Sequence, residues 1–211
     1  MLRNACRDLI ALRLGNRTDL DAAIVAEMQL AQEVVMEGSG QFTPWFLETE
    51  LATSSCEANE ERLALPTDFL AEVEEQPLWL YDSTAAQPFT ELKKDSYDVL
   101  LQQYPEAGRP RAYALTEGYF LLKPTPDVVY SFKTRYYAMA ESLSSNIEND
   151  WLKYAPDLMI AVVGEVMAGK YLQNPQLAAT FKTDVASAWA RLYVKHESRQ
   201  HNGRTYGMGD D

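Results

Sequence analysis

The spacing of apolar residues changes period twice along this chain, and that double change restricts its architecture more than any other feature. Toward both ends apolar side chains recur about every 3.6 residues, as on a helix face, whereas in the middle they alternate every second residue, as on a strand. Residues 2–14 place Leu2, Cys6, Leu9 and Ile10 on one helical face with Arg3, Arg7 and Arg13 largely elsewhere, and Gly15 and Asn16 stop the run. A second helix is predicted from Thr18, read as an N-cap with Asp21 as its acidic N3 residue, to Gly38. Its inner stripe reads Leu20, Ile24, Met28, Ala31 and Val35, widened by Leu30 and Val34. The pair is expected to form a helical hairpin.

From Gln41 the period becomes 2: Trp45, Leu47, Thr49 and Leu51 alternate with Phe46, Glu48, Glu50 and Ala52, which predicts a strand. Further short strands are predicted at Arg62–Leu65 and Leu78–Tyr81, bounded by Pro66 and Pro77, whose missing N–H limits their use in central strands. A helix is predicted over Thr90–Tyr104. Tyr113–Leu122 reads as a hairpin turning at Glu117-Gly118, where glycine supplies the positive φ of a tight turn. The clearest alternation is Val128, Tyr130, Phe132, Thr134 and Tyr136 against Val129, Ser131, Lys133, Arg135 and Tyr137. With no strand–helix–strand rhythm and no glycine-rich crossover, the sheet is expected to be antiparallel, and a Rossmann or P-loop fold is disfavoured.

Helical spacing returns from about Asn149 to Leu172, where Pro156 either starts a helix or kinks one. Leu158–Ala168 is apolar on nearly all sides and is expected to be the central buried helix, with Gly164, Ala168 and Gly169 admitting a neighbouring backbone. Asn174 and Pro175 cap the last helix, whose stripe is Leu177, Phe181, Val185, Ala188 and Leu192 with Trp189 beside it. After about Glu197 the sequence SRQHNGRTYGMGDD has no apolar period, so burial cannot offset its ordering entropy. The fold class is therefore α+β: mainly a helical bundle (1–40 and 145–196) with an antiparallel β-rich insertion carrying one helix (41–144) and a flexible C-terminal tail (197–211).

A net charge of −12 argues against a protein that grips nucleic acid, since such affinity comes from Lys and Arg neutralising phosphates. Glu48–Asp82 holds ten acidic residues against the single Arg62, while residues 1–17 hold four arginines against Asp8. This polarity suits head-to-tail contacts between identical subunits, and merely solvated faces explain it as well. Cys6 and Cys56 form no CxxC pair or disulfide framework, and no apolar run approaches the roughly 18 residues of a membrane span. Neither signal peptide nor membrane contact is expected, and synthesis is assigned to a reducing cytoplasm.

A search for catalysis finds little. The two histidines, His196 and His201, are expected where the last helix runs out into the tail, so neither a triad nor a metal set assembles there. Cys6 reads as a small core hydrophobe and Cys56 as lying in a polar stretch with no base beside it. There is no GxSxG elbow and no GxxxxGK[ST] phosphate cradle. No catalytic, cofactor-binding or metal residue is assigned, no cofactor is expected, and the chain is read as a non-enzyme. Aromatics such as Trp79, Tyr81, Tyr130 and Phe132 fit packing across sheet faces better than stacking on bases.

The opening helix pair, Trp45-Phe46, the segment Leu65-Pro66-Thr67-Asp68-Phe69-Leu70, Tyr119–Pro124 (YFLLKP), Phe132–Tyr137 (FKTRYY) and the helical third beginning at Trp151-Leu152-Lys153-Tyr154 occur in an order that resembles the head-to-tail adaptor, or connector and gatekeeper-like, proteins of tailed bacteriophages. The resemblance spans most of residues 1–195. It implies a helical bundle with a β-rich insertion, a homo-oligomeric ring, commonly twelvefold, in the virion neck beneath the portal protein, and a platform for tail or nozzle proteins. Packaged DNA would pass through the ring's channel without specific binding, as an acidic wall favours. The resemblance further implies that a terminal segment orders against the portal, here Arg199, His201, Arg204, Tyr206 and Met208. Arg3, Arg7, Glu57, Glu60, Glu61, Glu72 and Glu74 are the expected subunit or tail contacts. Two other readings stand beside it: an acidic, nucleic-acid-mimicking module that binds a host factor, and a virion-associated peptidoglycan hydrolase using carboxylates of the Glu57–Glu75 region.

Overall fold

Helix α1, Arg3–Arg13, buries Cys6, Ile10 and Ala11. The computed structural model describes residues 1–38, 42–49, 52–73, 77–84 and 88–203. Leu2 and Leu9, expected on the inner face, are exposed, as is Leu12. Each helical step turns the side chain by about 100°, so Leu9 cannot share the narrow contact that Cys6 and Ile10 make. Gly15, at φ +88°, reverses the chain. A 3₁₀ turn, Thr18–Leu20, then leads into α2, Asp21–Leu30, which widens into a π-helical segment, Ala31–Met36.

Thr18 does not cap this helix: it lies inside the 3₁₀ turn, and neither turn nor helix has a side-chain cap. Ile24, Met28, Ala31 and Met36 are buried, while Leu30 and Val34, expected to widen the stripe, are exposed. The wider π turn rotates the face and brings Met36 inward.

In the C-terminal third, Asn149 caps α4, Asp150–Tyr154, its Oδ1 accepting from the Leu152 N–H at 3.1 Å. Pro156 starts α5, Pro156–Val166, rather than kinking a longer helix, because its absent N–H is harmless in a first turn. Leu158–Gly164 are buried without exception, and a π-helical segment, Met167–Tyr171, extends the helix. Asn174 Oδ1 then accepts from Leu177 N–H at 3.0 Å at the start of α6, Pro175–Gly203. Gly164 admits an aromatic ring rather than a backbone, since a Cβ there would stand 2.6 Å from Phe181 Cδ1. The last helix continues through Gly203, past Glu197 where its apolar period fades.

Two compact units result: Met1–Leu47 with the chain from Met139 onward, and Glu48–Ala138. Trp45–Leu47 is a 3₁₀ turn and not the predicted strand. Alternation would send Trp45 and Phe46 to opposite faces, yet both rings pack on Tyr154, with centroids 6.1 and 5.2 Å away. Leu47 N–H closes the turn on Pro44 O at 3.1 Å.

Among its described residues the second unit holds ten strands: β1 Ala52–Cys56, β2 Arg62–Ala64, β3 Phe69–Glu72, β4 Leu78–Tyr81, β5 Phe89–Glu91, β6 Lys93–Lys94, β7 Ala112–Thr116, β8 Tyr119–Lys123, β9 Tyr130–Thr134 and β10 Tyr136–Ala138. They pair in the orders β1-β9-β4-β5, β2-β8-β7-β6 and β10-β3. Every ladder is antiparallel except β6 with β7, a short parallel pairing that the sequence did not suggest. The predicted Thr90–Tyr104 helix shrinks to α3, Tyr97–Gln103, because Phe89–Glu91 pairs with β4 and Lys93–Lys94 with β7. Non-local hydrogen bonds override local helix propensity there. Cys56, Leu80, Tyr113, Phe120 and Phe132 share one core, while Leu100 of α3 packs on Ala112, Ala114 and Leu121. Strand β8 is thus covered on both faces, which explains the unalternating run Phe120-Leu121-Leu122.

Candidate functional site

The buried ionisable groups come first, because catalysis would need them. Glu37 receives three hydrogen bonds on Oε1: from Trp151 Nε1 at 3.0 Å, from Gln32 Nε2 at 3.1 Å and from the Ala140 N–H at 3.1 Å. Gln32 Nε2 also donates to Ala140 O at 2.9 Å, and Asn149 Nδ2 donates to Gln32 Oε1 and Glu141 O, each at 2.9 Å. Burial pushes the Glu37 carboxyl above its ordinary range despite these donors. Glu27 is held the other way: Lys170 Nζ at 2.8 Å, with Tyr171 Oη at 2.9 Å, lowers its carboxyl below the usual range. Each carboxylate is held on one oxygen by its own neighbours, an arrangement that fixes chain segments.

Both thiols are buried, and burial raises each; Cys6 is pushed up to about 12. Burial disfavours the thiolate form of both. Cys56, expected in a polar stretch, sits instead in the sheet core. Among the described residues no three His, Cys, Asp or Glu side chains converge as metal ligands do. None of the described helices is long and apolar enough to cross a membrane.

The end of α6 is docked by aromatic contacts. His196 is buried, its ring 5.3 Å from Phe42 and 6.4 Å from Trp45, not set in a solvated tail as expected. One turn further on, the Arg199 guanidinium stands 4.7 Å over the Trp45 ring, a cation–π contact. What this unit presents outward is apolar as much as charged: Leu9, Leu12, Leu30, Val34, Tyr193 and Val194 are all exposed.

A family model described as SU10 adaptor protein matches residues 2–207. The chain belongs to the SU10 adaptor protein family. It is therefore a bacteriophage adaptor, a structural component of the virion. No curated protein matches the chain.

For an SU10 adaptor the relevant residues are those that face outward, and the expected contact residues divide sharply on that criterion. Arg3 is turned inward, its Nη1 donating to Leu143 O at 3.0 Å and Ser144 O at 2.9 Å. Arg7 pairs with Asp8 at 2.6 Å and reaches Asp21 at 3.5 Å. Glu61 binds Lys123 Nζ at 2.6 Å, and Glu72 takes both Lys94 and the Tyr113 hydroxyl. Glu57 and Glu60 are both exposed, Glu60 accepting from the Arg62 N–H at 3.0 Å. Glu74, Arg204, Tyr206 and Met208 lie outside the described residues, as does the side chain of His201. The Glu37 clamp and the Trp45–Arg199 dock escaped sequence reasoning, because their members are far apart in the chain and carry no spacing signal.

Proposed function

We propose that this adaptor acts as a homo-oligomeric ring, about twelve subunits around, seated between the portal and the tail of a virion, where it extends the DNA channel and offers the tail its attachment platform. Membership of the SU10 adaptor protein family over residues 2–207 is the observation that carries this reading. The net charge of −12 supports the channel role, since each phosphate left without a cationic partner is one contact fewer to retard the passing DNA. In this proposal the portal is met by the end of the chain, through Arg199, His201, Arg204, Tyr206 and Met208. Exposed charges such as Glu57 face neighbouring subunits or tail proteins. Electron microscopy of the purified protein mixed with its portal tests the reading: rings bound to the portal are expected, and isolated subunits with no bound density would overturn it.

A further inference from the structure

Within the helical unit two outward helix faces match each other in shape and in charge. On α2 and its π extension, Ala22, Ala26, Leu30 and Val34 are exposed at near-helical spacing. Leu30 is 49% and Val34 58% open to solvent. The charge on this face is Glu33, which is exposed and makes no ion pair among the described residues. No Lys or Arg occurs between Arg17 and Arg62, so nothing basic in this stretch neutralises it. On α6 the outward face carries Ala179, Ala186 and Ala190 and ends at Val194, 63% exposed. It is bordered by Lys182, which makes no ion pair with any described carboxylate. α5, buried on every side from Leu158 to Gly164, packs against both α2 and α6.

We infer that the outer face of α2 in one subunit docks on the outer face of α6 in a second copy of this chain, with Leu30 and Val34 seated over the alanines and Glu33 beside Lys182. Large side chains meet small ones, which lets the helices approach closely. An acid with no ion-pair partner among the described residues meets a base with none, which sets the register and disfavours the like-with-like pairings of α2 on α2 or α6 on α6. Because the two faces differ, the contact is head-to-tail and repeats from copy to copy, closing when the rotation closes. The inference rests on the ring proposed above and names the contact that builds it.

The test is a charge swap in the full-length protein assembled on its portal and counted by electron microscopy. Glu33→Lys is expected to cut ring yield at least tenfold, as is Lys182→Glu, and combining the two changes is expected to restore it. Circular dichroism on each variant confirms that the exposed substitutions leave the fold intact. Leu9→Asp and Leu12→Asp on the outer face of α1 probe a competing surface and are expected to leave rings unchanged. Normal rings from Glu33→Lys, loss of rings through α1 instead, or failure of the double variant to recover would each overturn the α2–α6 contact while the ring reading stands. Failure of the unaltered protein to form rings would overturn both.

Discussion

Glu37 and Glu27 lie in the same helical hairpin, and their carboxyls are shifted in opposite directions, Glu37 upward by burial and Glu27 downward by its hydrogen bond from Lys170. Replacing Glu37 by Ala leaves the indole N–H of fully buried Trp151, the Gln32 amide and the Ala140 N–H without their acceptor. With about 1–3 kcal/mol for each buried donor left unsatisfied, partly offset by water reaching the site, urea unfolding should register a loss of about 2–4 kcal/mol. The pH dependence separates the two carboxyls. Glu37, raised by burial, contributes stability below the ordinary glutamate range and loses it as pH climbs through the raised value. Glu27, lowered chiefly by the Lys170 hydrogen bond, contributes above the ordinary range and loses that contribution as pH falls through the lowered value. Unfolding of the wild type against Glu37→Gln and Glu27→Gln across acidic pH should thus give gaps of opposite slope. Gaps sloping the same way would refute the assignment.

At the scale of elements, the segment from Phe42 to Leu47 is the least expected feature. A run that alternates like a strand becomes a 3₁₀ turn because Trp45 and Phe46 both find aromatic partners on α4, and Trp45 a further one on α6. Its consequence is mechanical: Trp45 contacts His196 and Arg199 and so fastens the last described turns of α6. Trp45→Ala should therefore speed amide exchange in residues 192–199 while β8 and β9 keep their protection. The stability loss is expected to be about 1–3 kcal/mol, below the cost of truncating a fully buried tryptophan, because Trp45 is only half-buried. Uniform deprotection of the chain would argue against a local fastening. The α3 region makes the complementary point, for the helical pattern from Thr90 was present but strand pairing at Phe89–Glu91 and Lys93–Lys94 claimed its first half.

Across the whole molecule, function rests on contacts with other chains, and the prediction that belongs here concerns the end of the chain. Residues 204–211, RTYGMGDD, carry no apolar period, so the truncated protein should match the parent in circular dichroism and melting temperature. In the proposed ring, binding to the portal, measured by co-sedimentation, should fall at least tenfold on this deletion, because a contact weak in one subunit would be multiplied around the ring and its loss multiplied likewise. Undiminished binding would move the portal contact to another surface. The residue pattern by itself determined the α+β class, the two helical ends, the Gly118 hairpin, the strands at 62–64, 78–81 and 130–138, and the buried centre of α5, since each follows from a periodicity or a backbone requirement that acts over a few residues. Only the tertiary structure decided that Leu9, Leu30 and Val34 face outward, that Trp45-Phe46 is a turn, that His196 is buried and that Glu37 joins segments more than a hundred residues apart. Those outcomes depend on which surfaces meet across the fold, and apolar spacing records that a face is apolar without recording what covers it.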